Sequence, residues 1–451
     1  MVASSLEYHI READLAYLAR RIADNDCCAI VGVSNIGKSD LLRQLRHPDL
    51  LRHFSPHTDT ENLSFIYVDF NLQLQMSGQG FYELVLRTIL NELERGQTDP
   101  AILKQVQMAY DQIISPTDEF QNALRFNQAI ITLCEKWSRR LVLLFDEFDE
   151  VYNSLEPRVF LNLRALRDKY PRRLMYIVVV GTPLPESRHG PEIGEFAELF
   201  TRHTYYLKPL KRADIERLIH RFAAENEAHF SAQDVELIAE QAGGHPGLLE
   251  ATCRILAESI VEGVGRDTRF VLNQLADNPN IRIECVKLWN SLSPERQKAL
   301  LDFVKHGRIA SRLEQALSRK GILTPDPHGQ TKIFGRLFED FVRRQLLLQE
   351  APQKGVVIDI DSGQVYVDGQ QTEVLTNLEY RLLLLLYGNM GKICDKYRIV
   401  EAVWGEDYIE EVDDARIEKL VSRLRQKIEP NPADPQYLIT IRGRGYRLQK
   451  A

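Results

Sequence analysis

The chain has 451 residues, which is too long for a single hydrophobic core and indicates about three domains. Hydrophobic residues make up 44% and charged residues 27% of it, and no apolar run approaches the ~20 residues that span a bilayer, so the composition excludes a helical membrane protein. The net charge of −7 argues against a protein that coats nucleic acid uniformly, although a total leaves room for a local basic patch.

Two features bear on the cellular compartment. Residues 1–11 contain no apolar core of the kind that follows a basic start in an export signal. The six cysteines are scattered, and they lack the paired spacings of a zinc site or a disulfide framework. We therefore expect a cytoplasmic protein that makes no membrane contact and keeps its cysteines reduced, mostly in the core.

Apolar, β-rich runs alternate with amphipathic helical patterns in the first half of the chain. Continuous runs of this kind, separated by helices, are typical of strands buried on both faces of a parallel sheet. From about Arg212 to Asn273 the pattern is wholly helical, and residues 284–345 read as helices followed by a turn-rich stretch that predicts a β-wing. The predicted strands are residues 28–33, 65–70, 141–145 and 176–181.

The segment from Gly32 to Ser39 has the spacing GxxxxGK[ST], between a predicted strand and a predicted helix. In a phosphate loop of this pattern, glycines let backbone N–H groups approach the phosphates and the following helix N-terminus favours anions. Lys38 would reach the β- and γ-phosphates, and the Ser39 hydroxyl would ligate Mg²⁺. An ordinary glycine-containing turn is the alternative interpretation. The candidate nucleotide-binding residues are Gly32, Asn35, Gly37, Lys38 and Ser39.

A second acidic element ends the apolar run at residues 141–145. Acids at the carboxyl end of a buried strand lie near the phosphates in such folds. We expect Asp146 to hold Mg²⁺ through water and Glu147 to polarise the attacking water. The alternative is a solvated acidic strand end, which the neighbouring Asp149 and Glu150 favour.

These motifs resemble STAND-class ATPases, relatives of AAA+ proteins, over about Leu6 to Gln345. The resemblance implies that the segment Tyr8-His9-Ile10-Arg11-Glu12 lies against the adenine, with Arg11 as a nucleotide-binding residue. It also implies that Thr182 reports the γ-phosphate, although a turn or helix cap would explain this residue equally.

The same resemblance covers the lid and a catalytic arginine. Gly243-Gly244-His245-Pro246 is similar to the lid motif that brings a proline, here Pro246, against the nucleotide; a helix–helix turn is the alternative. Arg202 stands at the place of an arginine finger, which makes it a candidate catalytic residue beside Glu147 and Lys38. A plain exposed arginine at a strand start is the alternative.

The C-terminal hundred or so residues have their own pattern of predicted elements. Thr376 and Glu379 form a capping-box pattern before a leucine-rich helix, and a second helix runs from Ile399 to Gly405. The segment 414–428 predicts an amphipathic helix with a basic exposed face, and residues 437–448 alternate as a hairpin with a Gly-Arg-Gly tip. Nine basic and three acidic residues between Arg416 and Lys450 make this stretch strongly positive.

These elements resemble the OmpR/PhoB-type winged helix over about Lys354 to Gln449. The resemblance implies that the basic helix enters the major groove and that the wing contacts the DNA backbone or a narrow minor groove. Arg416, Lys419 and Arg423 are the expected base readers, and a solvated helix face is the alternative. The full candidate DNA-binding set is Arg416, Lys419, Ser422, Arg423, Arg425, Arg442 and Arg444.

The sequence leaves the roles of two segments open. The middle region, from Leu288 to Val342, resembles a further winged helix that either packs within the molecule or contacts DNA. The acidic run before the basic helix would repel phosphate; it either contacts a partner protein, screens non-specific DNA binding or is a solvated loop. Its carboxylates are Glu406, Asp407, Glu410, Glu411, Asp413 and Asp414.

The expected fold class is multidomain α/β. It comprises a parallel-sheet P-loop NTPase domain at 1–208, a helical lid at 209–280, a winged-helix-like domain at 281–348 and a winged-helix DNA-binding domain at 354–451. The leading hypothesis is an ATP-dependent switch and slow ATPase that binds duplex DNA and regulates transcription. The alternative is an oligomerising ATPase that remodels DNA or protein, as a transposition helper or defence factor, and a third is a nucleotide-dependent scaffold with negligible hydrolysis. The expected cofactors are ATP or ADP with Mg²⁺, and the expected partners are duplex DNA, a homo-oligomer in the ATP state, and a protein such as RNA polymerase.

Overall fold

The computed structural model describes residues 10–56, 59, 62–96, 98–115, 118–261, 268–326, 328–350, 355–359, 364–373, 375–404 and 412–449. The chain forms two compact units, Met1–Asp340 and Phe341–Ala451. The four-domain division expected from the sequence stays a prediction. Among the helices in the described ranges, none combines the length and apolar character needed to cross a membrane. All six cysteines are buried within the described ranges.

The first unit is built on a five-stranded parallel sheet, which confirms the sheet predicted from the apolar runs. The strand order is β2-β3-β4-β1-β5, so β1 lies between β4 and β5 and carries the phosphate loop at its carboxyl end. The central strand β4 is buried along its whole length, because valine, isoleucine and leucine fill both of its faces. The strands are β1 (Cys28–Val31), β2 (Leu63–Asp69), β3 (Arg140–Asp146), β4 (Leu174–Val180) and β5 (Thr204–Tyr206).

Helices join successive strands, as parallel pairing requires. Side-chain caps start several of them: Ser77, Asp99 and Asp118 each accept a backbone N–H in the first turn of the helix that follows. A 3₁₀ turn, Phe70–Leu72, follows β2. The helices are α1 (Glu12–Asp24), α2 (Lys38–Leu45), α3 (Pro48–Phe54), α4 (Gly78–Arg95), α5 (Pro100–Ile113), α6 (Glu119–Lys136), α7 (Phe148–Ser154), α8 (Pro157–Lys169), α9 (Leu184–Ser187) and α10 (Pro191–Thr201).

A helical region follows β5, and it confirms the wholly helical pattern read from the sequence. Ser231 and Asp234 form a capping box at the start of one of these helices. A small two-stranded antiparallel wing follows the helix Ser311–Arg319, as predicted for the middle region. The elements are α11 (Arg212–Glu225), α12 (Ala232–Ala242), α13 (Pro246–Val261), α14 (Thr268–Asp277), α15 (Pro279–Asn290), α16 (Pro294–His306), α17 (Ser311–Arg319), β6 (Leu323–Pro325), β7 (Thr331–Ile333) and α18 (Arg336–Glu350).

Two glycines set the junction between α12 and α13. Gly243 and Gly244 both have positive φ, 61° and 86°, a region that only glycine enters without strain. A side chain on Gly243 would clash with the carbonyl of Phe334, and one on Gly244 would clash with the carbonyl of Leu210. The tight turn therefore packs directly against backbone on two sides.

Within the described residues, the second unit begins inside α18 and contains a three-stranded antiparallel sheet, three further helices and a C-terminal hairpin. The predicted capping box at Thr376 is present, and Thr376 N donates to Glu379 Oε2 at 2.8 Å. Apolar residues of the basic helix point into the core, as the amphipathic pattern predicted: Ile417, Leu420, Val421, Leu424 and Ile428 are all buried. The elements are β8 (Val356–Asp359), β9 (Gln364–Val367), β10 (Gln370–Gln371), α19 (Asn377–Gly388), α20 (Lys396–Val403), α21 (Asp414–Ile428), β11 (Leu438–Ile441) and β12 (Gly445–Leu448).

Candidate functional site

An open cleft of about 1170 Å³ lies at the carboxyl edge of the parallel sheet. It collects residues from the phosphate loop, from the ends of β2, β3 and β4, and from the helical region after β5. The fold therefore assembles in one place residues that the sequence scatters over more than two hundred positions. Of the predicted nucleotide and metal residues, Arg11, Asn35, Gly37, Lys38, Ser39, Asp146, Glu147, Thr182 and Pro246 line this cleft.

The phosphate loop depends on two glycines. A Cβ on Gly32 would lie 2.8 Å from Ile36 Cγ2, so a larger residue would force the loop to shift. Gly37 has φ of 94° immediately before α2, and Asn35 also has a positive φ of 53°. Asparagine tolerates this region better than most residues. The strained loop conformation is thus encoded locally.

Lys38 folds back over its own loop. Its Nζ donates to the carbonyls of Gly32, at 3.1 Å, and Val33, at 2.9 Å. Burial lowers the pKa of Lys38, and the carboxylates of Glu147 and Asp149 oppose this shift. Ser39 is the second residue of α2, where unpaired backbone N–H groups favour an anion.

Asp146, at the end of β3, is almost fully buried, with 1% of its surface exposed. Its Oδ2 accepts a hydrogen bond from Tyr67 at 2.6 Å, and its Oδ1 accepts one from Glu147 N at 3.1 Å. Burial and the hydrogen bond to Asp146 both raise the pKa of Tyr67. The sequence interpretation missed Tyr67. The sequence offered one signal: Tyr67 lies two residues before Asp69, in a predicted strand. In the structure Asp69 pairs in register with Asp146.

Glu147 and Asp149 have different environments. Both oxygens of Asp149 accept the N–H of Gly181, at 3.0 and 2.8 Å, which ties this carboxylate to the end of β4 beside Thr182. Glu147 lines the cleft with φ of 53°. Burial raises its pKa, the nearby Lys38 lowers it, and the carboxylates of Asp146 and Asp149 raise it further.

Arg11 supports the phosphate loop from the outside. Its side chain is 6% exposed, and Nη2 donates to the carbonyl of Ile36 at 2.6 Å. Nη1 donates to the carbonyl of Lys208 at 2.9 Å and to Asp14 at 3.1 Å. Tyr8 and His9, the first residues of the predicted adenine segment, lie outside the described residues. The structure thus gives Arg11 a role in loop geometry, while its contact with nucleotide stays a prediction.

Two residues from beyond the predicted lid contact residues that line the cleft, and neither was predicted. Glu284 Oε2, on α15, accepts a hydrogen bond from Asn35 Nδ2 at 2.7 Å. Lys320 follows α17, is 1% exposed, and donates through Nζ to the carbonyl of Gly181 at 2.8 Å. Burial and the neighbouring Arg296 lower the pKa of Lys320 to about 8. The α15 helix therefore contacts the phosphate loop, and the segment after α17 contacts the end of β4.

Arg202 does not join this group. It is exposed and caps the end of α10, just before β5. Because Thr204 pairs with Ala29 near the start of β1, Arg202 lies at the edge of the sheet opposite the phosphate loop. It makes no contribution to the cleft of its own chain, and its role as an arginine finger toward another copy stays a prediction.

The second unit presents the predicted basic surface. On α21 the side chains of Arg416, Lys419, Ser422 and Arg423 are exposed. At the hairpin tip Arg442 and Arg444 are exposed as well, in a turn closed by Arg444 N donating to Ile441 O at 2.9 Å. A side chain on Gly445 would clash with the carbonyl of Cys394, which explains glycine beside the tip.

Arg425 differs from the other predicted DNA contacts. Its Nε and Nη2 donate to the carbonyl of Leu438, at 3.0 and 2.6 Å, and Nη2 also donates to Thr440 Oγ1 at 2.8 Å. Glu429, which is 7% exposed, accepts the backbone N–H groups of Gln436, Tyr437 and Leu438. Arg425 thus joins the basic helix to the wing, and its guanidinium already has protein partners.

Only part of the acidic run lies within the described residues. Asp413 caps α21 by accepting Arg416 N at 2.9 Å, and Asp414 pairs with Lys396 at 2.8 Å. These two carboxylates therefore have structural partners in the C-terminal winged-helix domain, called the DNA head below. Glu406, Asp407, Glu410 and Glu411 fall outside the described residues.

Two family models match this chain, one within each of the two compact units. A family model described as "Novel STAND NTPase 1" matches residues 3–257, and one described as "Transcriptional regulatory protein, C terminal" matches residues 370–448. The probable transcriptional regulator ycf27 of Cyanophora paradoxa is 38% identical over 92 residues, covering 20% of this chain and 38% of the relative. The sensory transduction protein RegX3 of Mycobacterium tuberculosis is 38% identical over 94 residues, covering 21% of this chain and 40% of the relative. This chain spans about two fifths of the length of these curated relatives.

Solved structures show similarity to both parts. The Walker-type ATPase PabY2304 of Pyrococcus abyssi has 15% identity and a TM-score of 0.45, covering 75% of this chain and 97% of that one. The DNA-binding domain of Klebsiella pneumoniae RstA, solved with the RstA box, has 26% identity and a TM-score of 0.19, covering 21% of this chain and 91% of that one. Since the first family model covers more than half of the sequence, the chain belongs to the novel STAND NTPase 1 family, and it carries a C-terminal domain of the OmpR/PhoB winged-helix type.

Proposed function

We propose that this protein is an ATP-dependent switch that binds duplex DNA through its C-terminal winged helix and regulates transcription. The observation that carries the proposal is that one chain contains both a candidate nucleotide site and a candidate DNA-binding surface. One is a cleft where a phosphate loop meets an acidic strand end; the other is an exposed basic helix beside an arginine-tipped wing. A protein that only hydrolyses ATP has no need of a sequence-reading head.

The donors in the cleft fit a magnesium nucleotide. Within the described residues no group of three or more histidine, cysteine, aspartate or glutamate side chains could form an all-protein metal cage. Mg²⁺ typically takes one or two protein oxygens and completes its shell with phosphate oxygens and water. The Ser39 hydroxyl would ligate the ion directly, and the Asp146 carboxylate would hold it through water. When bound, Mg²⁺ would neutralise charge on the β- and γ-phosphates.

The rest of the cleft supports the proposed nucleotide binding. Lys38 would exchange its two loop carbonyls for phosphate oxygens, since an ammonium gains more from an anion than from neutral acceptors. The N-terminus of α2 and the loop N–H groups would receive the remaining charge. Pro246 and Arg11 flank Gly37, since a Cβ on Gly37 would lie 3.8 Å from Pro246 Cγ and 3.6 Å from Arg11 Nε.

Hydrolysis would depend on Glu147 as the base that orients and polarises water. The contacts of Asp149 support this choice, because both its oxygens already accept the N–H of Gly181. The raised pKa of Glu147 makes it a better proton acceptor than an ordinary surface carboxylate. Thr182, next to Gly181, would report the γ-phosphate. We propose a slow ATPase whose turnover resets the switch.

In the head, Arg416, Lys419, Ser422 and Arg423 would face base edges in the major groove, where long donors suit guanine acceptors. Arg442 and Arg444 would contact phosphates or a narrow minor groove. Arg425 would act by holding the wing against α21. We place this activity in the cytoplasm, with RNA polymerase or another protein as a further partner.

A second candidate function is an oligomerising ATPase that remodels DNA or protein. The exposed Arg202, at the edge of the sheet opposite the cleft, favours this candidate, because it is available to the cleft of a neighbouring copy. In that case ATP would drive ring or filament formation and the head would serve as a grip.

Selection from a random duplex pool separates the two candidates. The full chain, loaded with ADP or with a non-hydrolysable ATP analogue, is mixed with the pool, and bound duplexes are sequenced while mass photometry gives the oligomeric state. A transcription switch would enrich one motif in one nucleotide state. Large ATP-dependent assemblies without any enriched motif would support the remodelling ATPase.

A further inference from the structure

His245 connects the lid to the phosphate loop through its ring. The residue precedes α13 and is fully buried, with no exposed surface. Its Nδ1 accepts the backbone N–H of Leu248 at 3.3 Å, which is the hydrogen bond of an N-cap. Its Nε2 lies 2.8 Å from the carbonyl oxygen of Ser34, in the phosphate loop.

These two contacts determine the protonation state of the ring. A nitrogen that accepts an N–H carries no proton, so in the neutral imidazole the proton is on Nε2. Nε2–H then donates to the carbonyl of Ser34. Only this neutral tautomer satisfies both hydrogen bonds, because the imidazolium would turn a donor toward the N–H of Leu248.

The backbone before His245 is held as firmly as its ring. Gly244 accepts the N–H of Leu210 at 2.7 Å, and no side chain fits at Gly244. The ring centroid of His245 lies 6.0 Å from that of Phe334 on the other side. The backbone at Gly244 and the ring of His245 are therefore both held by packed neighbours.

The hydrogen bond to Ser34 has a directional effect on the loop. In a trans peptide the C=O and the following N–H point in opposite directions. Fixing the Ser34 carbonyl toward His245 thus fixes the direction of Asn35 N–H, which is one of the amides of the phosphate loop. Asn35 is also held through its side chain by Glu284, at 2.7 Å.

We propose that His245 is a positioning residue that couples the lid to the phosphate loop, so that the loop keeps its phosphate-binding shape only while the lid is docked. This inference rests on the proposed nucleotide binding by the same loop. If the lid moves away, the Ser34 carbonyl loses its donor and the Asn35 peptide is released. A purely structural role, as a cap of α13 buried in the core, would affect stability and leave the loop unchanged.

Three variants of the full chain separate these roles. His245→Ala removes both hydrogen bonds. His245→Asn keeps a side-chain oxygen near the position of Nδ1 as an acceptor for the N-cap, but its amide ends short of the position of Nε2 and loses the hydrogen bond to Ser34. Ser231→Ala is the matched control, since Ser231 caps α12 in the same lid, in a capping box with Asp234, and is absent from the residues that line the cleft.

The first measurement needs no nucleotide. Hydrogen exchange of the amides in residues 34–39 is followed in the free proteins. The proposal predicts exchange about tenfold faster in His245→Ala, the effect of one lost buried hydrogen bond, and similarly fast in His245→Asn, which keeps only the cap, with rates near wild type in the Ser231 control. Unchanged loop exchange in a folded His245→Ala protein would overturn the proposal.

The second measurement uses the fluorescent nucleotide mant-ADP. Its dissociation should become about tenfold faster in His245→Ala and stay within about twofold of wild type in Ser231→Ala. If mant-ADP binds no form of the protein, the proposed function fails while the exchange result still decides the role of His245.

Nitrogen NMR of histidine-labelled wild-type protein adds a test that needs no alanine variant. The resonance missing in His245→Asn must show a protonated Nε2 and an unprotonated Nδ1. The opposite tautomer, or an imidazolium at neutral pH, would contradict the coupling.

Discussion

The hydroxyl of Tyr67 donates a 2.6 Å hydrogen bond to Oδ2 of Asp146, across two neighbouring strands of the sheet. Asp146 Oδ1 accepts Glu147 N, so one bond to each oxygen fixes the plane of the carboxylate. Partners of this kind orient metal ligands, and their removal typically costs affinity for the metal. In the proposed Mg²⁺ site, Tyr67 would therefore orient the carboxylate of Asp146.

We expect Tyr67→Phe to raise the Mg²⁺ concentration needed for half-maximal mant-ATP binding by about tenfold, because the carboxylate of Asp146 loses its fixed orientation. Equilibrium fluorescence titration at a series of Mg²⁺ concentrations measures this. Tyr82→Phe is the control, since the hydroxyl of Tyr82 contacts Asn162 and lies outside the cleft lining. A lower melting temperature with an unchanged Mg²⁺ requirement would show that Tyr67 is structural only.

Glu147→Gln and Asp149→Asn should separate the two acids. The first should leave ATP binding intact and slow hydrolysis by about a hundredfold or more, because the water loses its base. The second should mainly lower the melting temperature, since Asp149 holds the N–H of Gly181. Single-turnover hydrolysis and nucleotide titration test both variants. If Asp149→Asn stops turnover and Glu147→Gln does not, the base is wrongly assigned.

The pH dependence of stability should report His245. Burial lowers the pKa of His245 from 6.5 to about 4; the hydrogen bond to Ser34 and the carboxylate of Glu284 oppose this shift, and Lys38 and Arg11 add to it. Between these values the unfolded chain binds a proton that the native protein excludes, so stability falls as the pH falls from 6.5 toward 4. The slope is up to about 1.4 kcal/mol per pH unit.

Comparison with His245→Asn isolates this effect, because asparagine does not titrate and all other groups are shared. Urea denaturation of both proteins at several pH values gives the free energy of unfolding. The advantage of the wild type should shrink as the pH falls through the window. A constant difference between the two proteins would mean that His245 titrates normally in the folded state.

The DNA head should respond differently to changes in its helix and its wing. Arg423→Ala should cost about 1–3 kcal/mol of binding to the selected duplex and relax selectivity at particular base pairs. Arg444→Ala should weaken binding evenly across sequences and flatten its salt dependence, because a phosphate contact releases counterions without reading bases. Titrations of the full chain with selected and random duplexes measure both. Identical behaviour of the two variants on both duplexes would argue that neither side chain reads sequence.

The parts of this protein that the sequence predicts are those encoded by local patterns. The phosphate loop is contiguous from Gly32 to Ser39, and strands β1 to β4 are continuous apolar runs whose parallel pairing follows from the intervening helices; the short, half-buried β5 was not among the predicted strands. The amphipathic period of α21 correctly predicted its buried and exposed faces. Each of these features can be predicted from a stretch of about fifteen residues.

The parts that the sequence does not predict are contacts between distant segments. Lys320 reads as an ordinary helix end before a glycine, yet its Nζ bonds Gly181, 139 positions away. His245 reads as the variable residue of a lid motif, and its bond to Ser34 exists only because the lid packs on the loop. Arg425 has the same charge as its neighbours on the helix, and only the position of Leu438 shows that it holds the wing.

We propose that nucleotide state in the first unit controls DNA binding by the second. Fluorescence anisotropy with the selected duplex measures it most directly, by comparing the affinity of the full chain for DNA with ADP and with a non-hydrolysable ATP analogue. We expect a difference in DNA affinity of at least about fivefold, the lower range of ordinary coupling between sites. Lys38→Ala, which removes the ammonium that neutralises the phosphates, should abolish that difference and leave basal DNA binding intact. Equal DNA affinities in the two nucleotide states, for a wild-type protein shown to bind both nucleotides, would contradict the claim.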